Sequence, residues 1–552
     1  MRRLKPFALR AAAAAAATLA TGLGTAHAVT FETESVSGSF DSTVSAGVGV
    51  RAQSQNCGLV LQGASGPSAP AGCTAPSSLL GDQGNLNYDK GDLFSAYLKG
   101  SHELLLKLPE NVTFLGRANW VRDFAATHTT GNLSTTTPPS LSGGLAGDAA
   151  DDLRFKARLL DLWVSKSFSV GDQQARVRVG NQVISWGESL FLPGGINSTN
   201  AVDIMRLSQP GTQLKEVFLP APMVSFASGL GKGVNVEAYV QTHWNRSYFP
   251  PSGSYWSLVN GLGKGHDAYG LVDVKARNGG QWGAALRYQP EGTQLNLGAY
   301  AMNYHDKTPQ FSLNINNTGA LGWTYPEDRK LFGLSANFPV GDWAVGTELS
   351  YRPRDAVALN ANASGCSSQN GNCWVDERRF QWNATGLLSL TRSGTGAGVV
   401  KLLGADTATL LSEFALIHYP RLKQSYGPDT ISAGGWGWGQ ETDPAGAPVA
   451  TGTKTSTGFN FDFSWVYDGS VIPGWQVIPE VYYFHALSGR TPNTSALFMK
   501  GARSANFIVS LVQNPAKWQF AVNYAKFWGG SSVFDQPYRD RSYVGVVASR
   551  NF

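Results

Sequence analysis

Charged residues of both signs are concentrated in one long stretch without a strand or helix period, SWGESLFLPGGINSTNAVDIMRLSQPGTQLKEVFLPAP, residues 185–222. They are Glu188, Asp203, Arg206, Lys215 and Glu216. Buried charges must be paired or hydrogen-bonded, so such a stretch either forms an ion-pair network or presents a binding site. Most connections in compact domains are far shorter. The elements that flank this stretch therefore decide what its charges do.

The sequence lacks the motifs of known catalytic sites. It contains no G-x-S-x-G elbow, no H-E-x-x-H and no G-x-x-x-x-G-K-[ST] motif. The histidines are scattered singly, and a barrel hydrolase would have to assemble His243 or His485 with groups from other strands. We expect no enzymatic activity, no cofactor and no metal site.

The first residues have the pattern of a secretory signal peptide. Basic residues precede an alanine-rich apolar run, and Ala26-His27-Ala28 supplies an A-x-A cleavage pattern. We predict a signal peptide over residues 1–28 and a mature chain over residues 29–552. Removing four basic residues from 44 Lys and Arg leaves 40, against 39 Asp and Glu. A near-neutral mature chain gives no support for a nucleic-acid partner.

The four cysteines fall in two close pairs, Cys57 with Cys73 and Cys366 with Cys373. Each pair lies among Gly, Ser, Asn or Pro residues. In an oxidising compartment this spacing predicts two disulfides that staple loops. A metal site is the alternative, but neither pair has C-x2-C spacing or a nearby histidine.

Period-two alternation recurs after residue 28, and no stretch there has the roughly 18 consecutive apolar residues of a membrane helix. In VNVEAYVQ, residues 234–241, Val and Ala alternate with polar side chains. Each such stretch has one face suited to lipid and one suited to water. Eighteen stretches alternate in this way: 36–51, 93–108, 112–125, 153–169, 175–185, 221–229, 234–245, 280–289, 295–304, 330–338, 343–352, 378–391, 407–419, 456–468, 475–487, 502–513, 518–528 and 541–552.

A soluble β-sandwich would also alternate, but three features favour a membrane barrel. Aromatics such as Trp120 and Tyr467 lie near the ends of long strands, and connections alternate between short and long. The final strand ends in Phe552, which resembles the recognition signal of outer-membrane barrels, although Arg550 departs from it. We predict an all-β transmembrane antiparallel β-barrel of the bacterial outer membrane with eighteen strands. Sixteen is the alternative, because Gly and Thr blur the period near residues 391–419.

An even strand count puts both termini and the short turns in the periplasm and the long loops, with both cysteine pairs, outside. A barrel this wide is not filled by its own side chains. Its predicted inward residues are polar and mixed in sign: Arg117, Glu237, Tyr239, Gln241, Arg287, Glu348, Arg352, Asp462 and Glu480. Irregular backbone is tolerated at membrane depth only when it is enclosed. We therefore predict that residues 186–219 fold inward as a constriction or plug, either immobile or movable.

The same stretch carries a family resemblance. VRVGNQVISWGES, followed by GGINSTNAVD, QPGTQLKE and LPAPM, resembles the proteobacterial outer-membrane proteins grouped as domain-of-unknown-function family 1302. GSFDSTVSAGVGVRAQ and NLNYDKGDLFSAYLKGSHEL match as well. The resemblance implies an outer-membrane barrel associated with the handling of hydrophobic compounds. It marks the following residues without giving them roles: Trp186, Gly187, Glu188, Asn197, Asp203, Pro210, Gly211, Lys215 and Glu216.

We expect a channel for hydrophobic or amphipathic small molecules, lipid-like or aromatic, gated or narrowed by residues 186–219. Aromatics of one long loop, Tyr248, Phe249, Tyr255 and Trp256, are placed to cap its mouth. A general diffusion porin and a surface or adhesion barrel acting through its loops are the alternatives. The expected partners are outer-membrane lipid, the assembly machinery through the C-terminal strand, and a periplasmic or inner-membrane transport protein.

Overall fold

Antiparallel strands close into a barrel in the computed structural model, which describes residues 29–56, 59, 81–131, 140–209, 212, 214–361, 365–433, 451–530 and 535–552. The main sheet has 19 strands, of which the short Val29–Glu32 pairs only with the first barrel strand, so eighteen form the wall. Their bounds are β1 Ser37–Arg51, β2 Leu93–Leu108, β3 Val112–Asp123, β4 Phe155–Val170, β5 Gln173–Gln182, β6 Ala221–Gly231, β7 Val234–Gln241, β8 Gln281–Tyr288, β9 Asn296–Tyr304, β10 Arg329–Val340, β11 Trp343–Ala358, β12 Trp374–Thr391, β13 Thr407–His418, β14 Thr455–Asp468, β15 Trp475–Ser488, β16 Ala502–Gln513, β17 Trp518–Gly529 and β18 Tyr543–Asn551.

The barrel is closed by its first and last strands. β1 pairs with β2 and with β18, and the second pairing runs from Thr43↔Asn551 to Arg51↔Tyr543. The predicted count of eighteen is confirmed, including β13 in the stretch where the period is blurred. The irregularity there has a local cause, because helix Ala397–Leu403 lies between β12 and β13.

The two faces of the wall differ in polarity as the alternation predicts. Outward side chains such as Leu286 and Trp282 are apolar and exposed, Trp282 at 45%. Inward side chains such as Glu348, Asn383 and Glu413 are polar and buried. A closed sheet with an apolar outer face pairs its own backbone groups in hydrocarbon. The protein is therefore a β-barrel of the bacterial outer membrane.

Short turns join the strands at one end of the barrel, the short-turn end, apart from the helix-containing connection 392–406 between β12 and β13. Long connections join them at the other end, the long-loop end. Two predicted strands stop early: β5 ends at Gln182 because the chain turns into the lumen, and β7 ends at Gln241 where a long loop begins. By the rule for such barrels, the short-turn end faces the periplasm.

The connections contain short elements. The described helices and 3-10 turns are Gln83–Leu86, Gly147–Arg154, Ile196–Thr199, Ile204–Ser208, Leu214–Glu216, His266–Tyr269, Ser367–Gln369 and Ala397–Leu403. None of the described helices is long and apolar enough to cross a membrane. Short strands outside the wall are Leu141–Ser142, Leu145–Ala146, Ala201–Val202, Phe218–Leu219, Val272–Val274, Gln310–Ile315, Ala320–Thr324, Ser425–Tyr426 and Asp429–Thr430.

One predicted disulfide is confirmed, since Cys366 is bonded to Cys373 in the connection before β12. Cys57, Cys73 and the predicted signal peptide over residues 1–28 lie outside the described residues. Arg550 is accommodated in β18 by aromatic rings. Its guanidinium lies 5.1 Å from the ring centroid of Trp518 and 4.9 Å from that of Phe552. Cation–π contacts thus stabilise the charge near the end of the last strand.

Candidate functional site: a segment across the lumen

Residues 186–219, the inward segment, leave the wall after β5 and bind side chains from strands on opposite sides of the barrel. One set of partners lies on β7 to β13, and the other lies on β2 and β4. In the closed strand order β2 to β4 lie across from β11 to β13. The inward segment therefore crosses the lumen.

Trp186 anchors the start of the inward segment against the wall. Its indole Nε1 donates to Glu237 Oε2 of β7 at 2.8 Å, and its ring packs on Tyr239 and Tyr300 with centroid distances of 5.3 and 5.8 Å. The side chain is 2% exposed. The backbone N–H of Trp186 donates to Asn197 Oδ1 at 3.3 Å, which ties the two limbs of this part of the segment together.

Glu348 on β11 binds the backbone of the inward segment. Its Oε2 accepts the N–H groups of Glu188 at 2.6 Å and Ser189 at 3.2 Å, and its Oε1 accepts the N–H of Ile196 at 2.9 Å. Carboxylate–amide hydrogen bonds of this kind are stronger than neutral ones.

Glycine is required where this carboxylate approaches the chain. A Cβ on Gly195 would stand 1.8 Å from Glu348 Oε1, and one on Gly187, where φ is +88°, would stand 2.3 Å from Glu348 Oε2. These contacts are too short for any side-chain carbon. The glycines of the WGES and GGIN motifs thus make room for Glu348.

Glu413 on β13 forms a second, similar anchor. Its Oε2 accepts the consecutive N–H groups of Leu190 at 3.1 Å, Phe191 at 2.6 Å and Leu192 at 3.0 Å. Its Oε1 accepts from the hydroxyl of Ser189 and the amide of Asn383, both at 2.7 Å. Two lumen acids therefore hold residues 188–196 by their main chain, largely independently of side-chain identity.

Cations and amides of the same wall bind the carbonyl groups of the inward segment. Arg352 donates to Gly195 O at 3.2 Å, and Gln381 donates to Pro193 O at 3.2 Å. Arg352 also pairs with Asp355 at 3.3 Å. The glycine-rich turn is thus bound through both its donors and its acceptors.

Ion pairs hold the other half of the inward segment to the opposite wall. Glu216 accepts from Lys99 Nζ of β2 at 2.7 Å, and both side chains are buried. Asp203 pairs with Arg158 of β4 and more distantly with Arg206 at 3.9 Å. A short ladder between Ala201–Val202 and Phe218–Leu219 fixes the two limbs.

The tip of the inward segment presents apolar side chains to the lumen. Leu190 is 51% exposed, and Phe191 lies edge-on to Tyr482 of β15 with a centroid distance of 5.7 Å. The next residue, Leu192, is buried in a large apolar cluster with loop residues such as Phe249 and Leu262 and with Ile417 of β13. Apolar side chains therefore run from the loops at the outer end to the tip.

A cavity of about 580 Å³ lies at the short-turn end of the lumen. Glu188 of the inward segment lines it together with the wall residues Arg176, Glu237, Arg287 and Asn337. Arg287 Nε is 3.3 Å from Glu237 Oε1. The inward segment thus bounds a water-accessible space on the periplasmic side.

The remaining predicted lumen residues lie on the inner wall away from the inward segment. Arg117 pairs with Glu103 at 2.7 Å and Asp161 at 2.8 Å. Gln241 donates to His243 O at 2.7 Å. Asp462 and Glu480 are half-buried, and no cation within the described ranges pairs with either.

Glu188 and Lys215 take no part in an ion pair within the described residues. Glu188 does not pair with a cation of the described chain, and instead accepts from Asn337 Nδ2 at 3.1 Å and Ser335 Oγ at 3.4 Å. Lys215 is exposed rather than paired with an acid, because the chain turns its neighbour Glu216 inward. Pro210 and Gly211 lie outside the described residues.

The sequence reasoning missed the wall partners of the inward segment, Lys99, Arg158 and Glu413. Each lies on the polar face of an alternating strand, so period-two alternation could have placed it inward. The partners, however, lie far apart in the sequence. Lys99 is 117 positions from Glu216, and Glu413 is 222 positions from Phe191. Nothing local in the sequence links them.

The connection of residues 242–280, the mouth loop, crosses the long-loop end. It joins β7 to β8, but two of its hydrogen-bond partners lie in the connections after β1 and before β18. Asn260 Oδ1 accepts from Gln83 N at 2.7 Å, and the Tyr255 hydroxyl donates to Arg541 O at 2.8 Å. The Tyr255 ring stacks on Phe94 at 3.9 Å. Tyr255 and Trp256 are therefore buried against the opposite rim.

A buried ion pair sits beneath the mouth loop. The Arg541 guanidinium pairs with Asp82 and donates to Ser257 O at 2.5 Å. Burial raises the pKa of Asp82 to about 6, against the opposing effect of Arg541. This pair joins the connection after β1, the connection before β18 and the mouth loop at one point.

The two histidines named in the sequence analysis, His243 and His485, each contact a neighbouring polar side chain. His243 Nδ1 lies 3.2 Å from Thr242 Oγ1, and His485 Nε2 accepts from Arg503 Nε at 3.2 Å. Within the described part of the chain, no group of three or more His, Cys, Asp or Glu residues is arranged to hold a metal ion.

Comparison with known proteins gives a family and distant structural likenesses. The family model described as "Protein of unknown function (DUF1302)" matches residues 9–552. No curated protein matches the sequence. The structure of Pseudomonas aeruginosa OpdK with vanillate is 10% identical, with a TM-score of 0.39, 93% of this chain and 98% of that chain being covered. Acinetobacter baumannii OccAB1 is 10% identical, with a TM-score of 0.43 and coverage of 93% and 96%. These likenesses transfer no substrate to this chain.

Proposed function

This chain belongs to the DUF1302 family, and from that premise we propose that it is an outer-membrane channel for hydrophobic or amphipathic small molecules, narrowed by the inward segment. The observation that carries the proposal is the attachment of the inward segment to both walls of the lumen. A general diffusion pore works through an open polar eyelet. Here the cross-section is occupied by ordered chain instead.

The mode of attachment favours a segment that can be released. Residues 188–196 are held by hydrogen bonds from their backbone to two carboxylates, Glu348 and Glu413, and not by a covalent link or a continuous strand ladder. When the segment moves, its N–H groups and the two carboxylates form hydrogen bonds with water instead. Each hydrogen bond to a charged group therefore stabilises the bound position by only about 1.5–3 kcal/mol.

The apolar tip favours an apolar substrate. Leu190 is exposed inside a polar lumen, and Phe191 lies beside Tyr482. An exposed apolar patch within a channel costs free energy unless a ligand covers it. Leu192 continues the apolar surface into the cluster under the mouth loop, which gives an apolar molecule a path from outside to the tip.

Single-channel conductance in a planar bilayer tests the narrowing role. We compare the native protein, a variant with residues 186–219 replaced by a Gly/Ser linker, and the double variant Glu348→Ala with Glu413→Ala. The matched control is Asp462→Ala with Glu480→Ala, which removes two lumen acids that do not contact the inward segment. A low native conductance that rises in the first two variants and not in the control is expected. Equal, steady conductance in all four would identify an ordinary diffusion porin.

Entry of a fluorescent naphthylamine dye into lipid-loaded vesicles tests the substrate class. The native protein should admit the dye faster than it admits a sugar of similar mass, and Leu190→Ser with Phe191→Ser should slow the dye alone. A preference for the sugar would contradict the apolar assignment.

A further inference from the structure

β4 continues beyond the end of its neighbour β5. The β4–β5 register begins at Leu162↔Asn181, and β5 ends at Gln182. Residues 155–161 of β4 pair with β3 on one side, from Arg122↔Phe155 to Ala118↔Leu159. On the other side no strand of the described chain pairs with them, and only the Asn181 side chain reaches across, to Leu160 O. At about 3.3 Å per residue this edge is about 20 Å long.

The unpaired edge spans the outer border of the apolar band, since Ala157 is level with Trp120 of β3 and residues 158–161 lie below that level. Its outward side chains include Phe155, 51% exposed, and Leu159, 57% exposed. The first outward charge on β3 is Arg122, level with Phe155 in the register. Lipid hydrocarbon cannot satisfy backbone N–H and C=O groups, and each unpaired group costs several kcal/mol there. Something other than lipid must therefore cover this edge from within.

Side-chain contacts link Lys156 and Arg158 of this edge to the inward segment and to the mouth loop. Asp203 of the inward segment pairs with Arg158, and Tyr248 of the mouth loop donates its hydroxyl to Asp152. The Tyr248 ring lies 3.2 Å from Lys156 Nζ and 4.5 Å from the Arg158 guanidinium carbon, measured to the centroid. Lys156 also pairs with Asp152. We call these five residues the seam.

Asp203 and Tyr248 of the seam lie on connections between strands and not on the wall. Asp203 belongs to the inward segment and Tyr248 to the mouth loop, and these two join each other through Ile204 N→Tyr248 O at 2.9 Å and Tyr248 N→Val202 O at 2.8 Å. One turn beyond Asp203, Leu207 is 60% exposed. A displacement of this pair of segments would uncover the β4 edge without breaking any strand pairing of the wall.

We propose that the seam is a lateral portal, through which an amphipathic molecule with an acidic head and an apolar tail passes between the lumen and the outer leaflet. Lys156 and Arg158 bind the acidic head in place of Asp152 and Asp203, since a carboxylate on a ligand is equivalent to the one it displaces. The tail lies along Leu159 and Phe155 into lipid. This inference rests on the proposed function and adds the route and the head-group charge.

The test locks the seam. In a background with Cys57→Ser and Cys73→Ser, the contacting pair Asp152→Cys and Tyr248→Cys is joined by a short bifunctional thiol reagent, which leaves Lys156 and Arg158 in place. Uptake of a fluorescent long-chain carboxylate into proteoliposomes is measured before and after the reagent is added. The control is a lock at Asn506→Cys and Asn523→Cys, two side chains in contact on a fully paired part of the wall. We expect the seam lock to lower uptake at least tenfold with ion conductance unchanged, and the control lock to change neither.

If the protein transports the carboxylate and uptake persists after the seam is locked, the portal proposal is wrong and the proposed channel function still stands. A native chain that never transports the carboxylate overturns both. A second measurement needs no variant: a carboxylate with a photoreactive tail should label residues 155–161 of the native protein. Labelling confined to the tip of the inward segment would also overturn the portal.

Discussion

At the scale of single residues, Gly195 and Glu348 form a contact that no other residue type at position 195 permits, since a Cβ there would stand 1.8 Å from the carboxylate. We predict that Gly195→Ala displaces Glu348, weakens its hydrogen bonds to the inward segment, and raises single-channel conductance toward that of the linker variant. Gly279→Ala is the control, because a Cβ at Gly279 meets nothing within 4 Å. An unchanged conductance for Gly195→Ala would mean that Glu348 does not hold the segment.

The buried pair of Lys99 and Glu216 supplies a second prediction at this scale. Lys99→Met leaves the Glu216 carboxylate buried without its cation, and breaking a buried pair in this way costs about 3–5 kcal/mol. Lys99→Met with Glu216→Leu should recover most of this, because neither charge of the pair is then left buried. Denaturant unfolding of the refolded protein measures both. A single variant as stable as the native protein would show that the pair contributes little.

How far the site could be predicted differs from residue to residue. Trp186, Asp203 and Glu216 could be selected because they are charged or aromatic in an aperiodic stretch, and the structure places each against a wall. Glu413 lies in TATLLSEFALIH, where it reads as one polar residue of a strand. Its role depends on which loop folds onto it, and that is set by the closed barrel and not by neighbouring residues.

At the scale of elements, strands were predictable and connections were not. Alternation predicts a strand over residues 456–468, and the structure has β14 over Thr455–Asp468. The rule works because every strand in the wall faces lipid on one side and water on the other. No such periodic rule governs the mouth loop or the inward segment. The early end of β5 and the unpaired edge of β4 follow from the inward turn of the chain, which strand periodicity does not encode.

The mouth loop carries a pH-dependent contact. Burial alone would lower the pKa of His266, but its pairing with Asp273, 3.2 Å from Nε2 to Oδ1, wins and raises the pKa above 6.5. Asp273 also binds Arg246, and Asp267 acts on His266 in the same direction. A histidine whose pKa is raised by folding contributes stability that is complete below its unfolded pKa and is lost as pH rises through its folded pKa.

We therefore predict that the mouth loop is more firmly held at pH 5.5 than at pH 8.5. Hydrogen exchange of residues 263–274, corrected for the intrinsic pH dependence of exchange, should be slower at the lower pH in the native protein. In His266→Gln the two corrected rates should agree. A pH effect of equal size in the variant would assign it to another group.

At the scale of the whole molecule, Arg541 joins the rim of the barrel to the mouth loop. Arg541→Met leaves Asp82 buried without its cation and removes a donor to Ser257 O. We expect a loss of about 3–5 kcal/mol in the attachment of the loop, seen as greater quenching of Trp256 by iodide and faster exchange of residues 255–257. Arg421→Met, which removes an exposed loop cation, is the control. Quenching that rises equally in both variants would contradict the assignment.

The pairing of β1 with β18 also sets an order of events during biogenesis. Ser45 and Ser549, which touch across this pairing, are 504 positions apart, and Arg541 and Asp82 are 459 positions apart. Contacts of such sequence separation form late. The residues that bind the mouth loop come from both ends of the chain. The loop therefore reaches its final position only after β1 has paired with β18. A nascent barrel halted before its last strand would leak solutes that the finished protein retains.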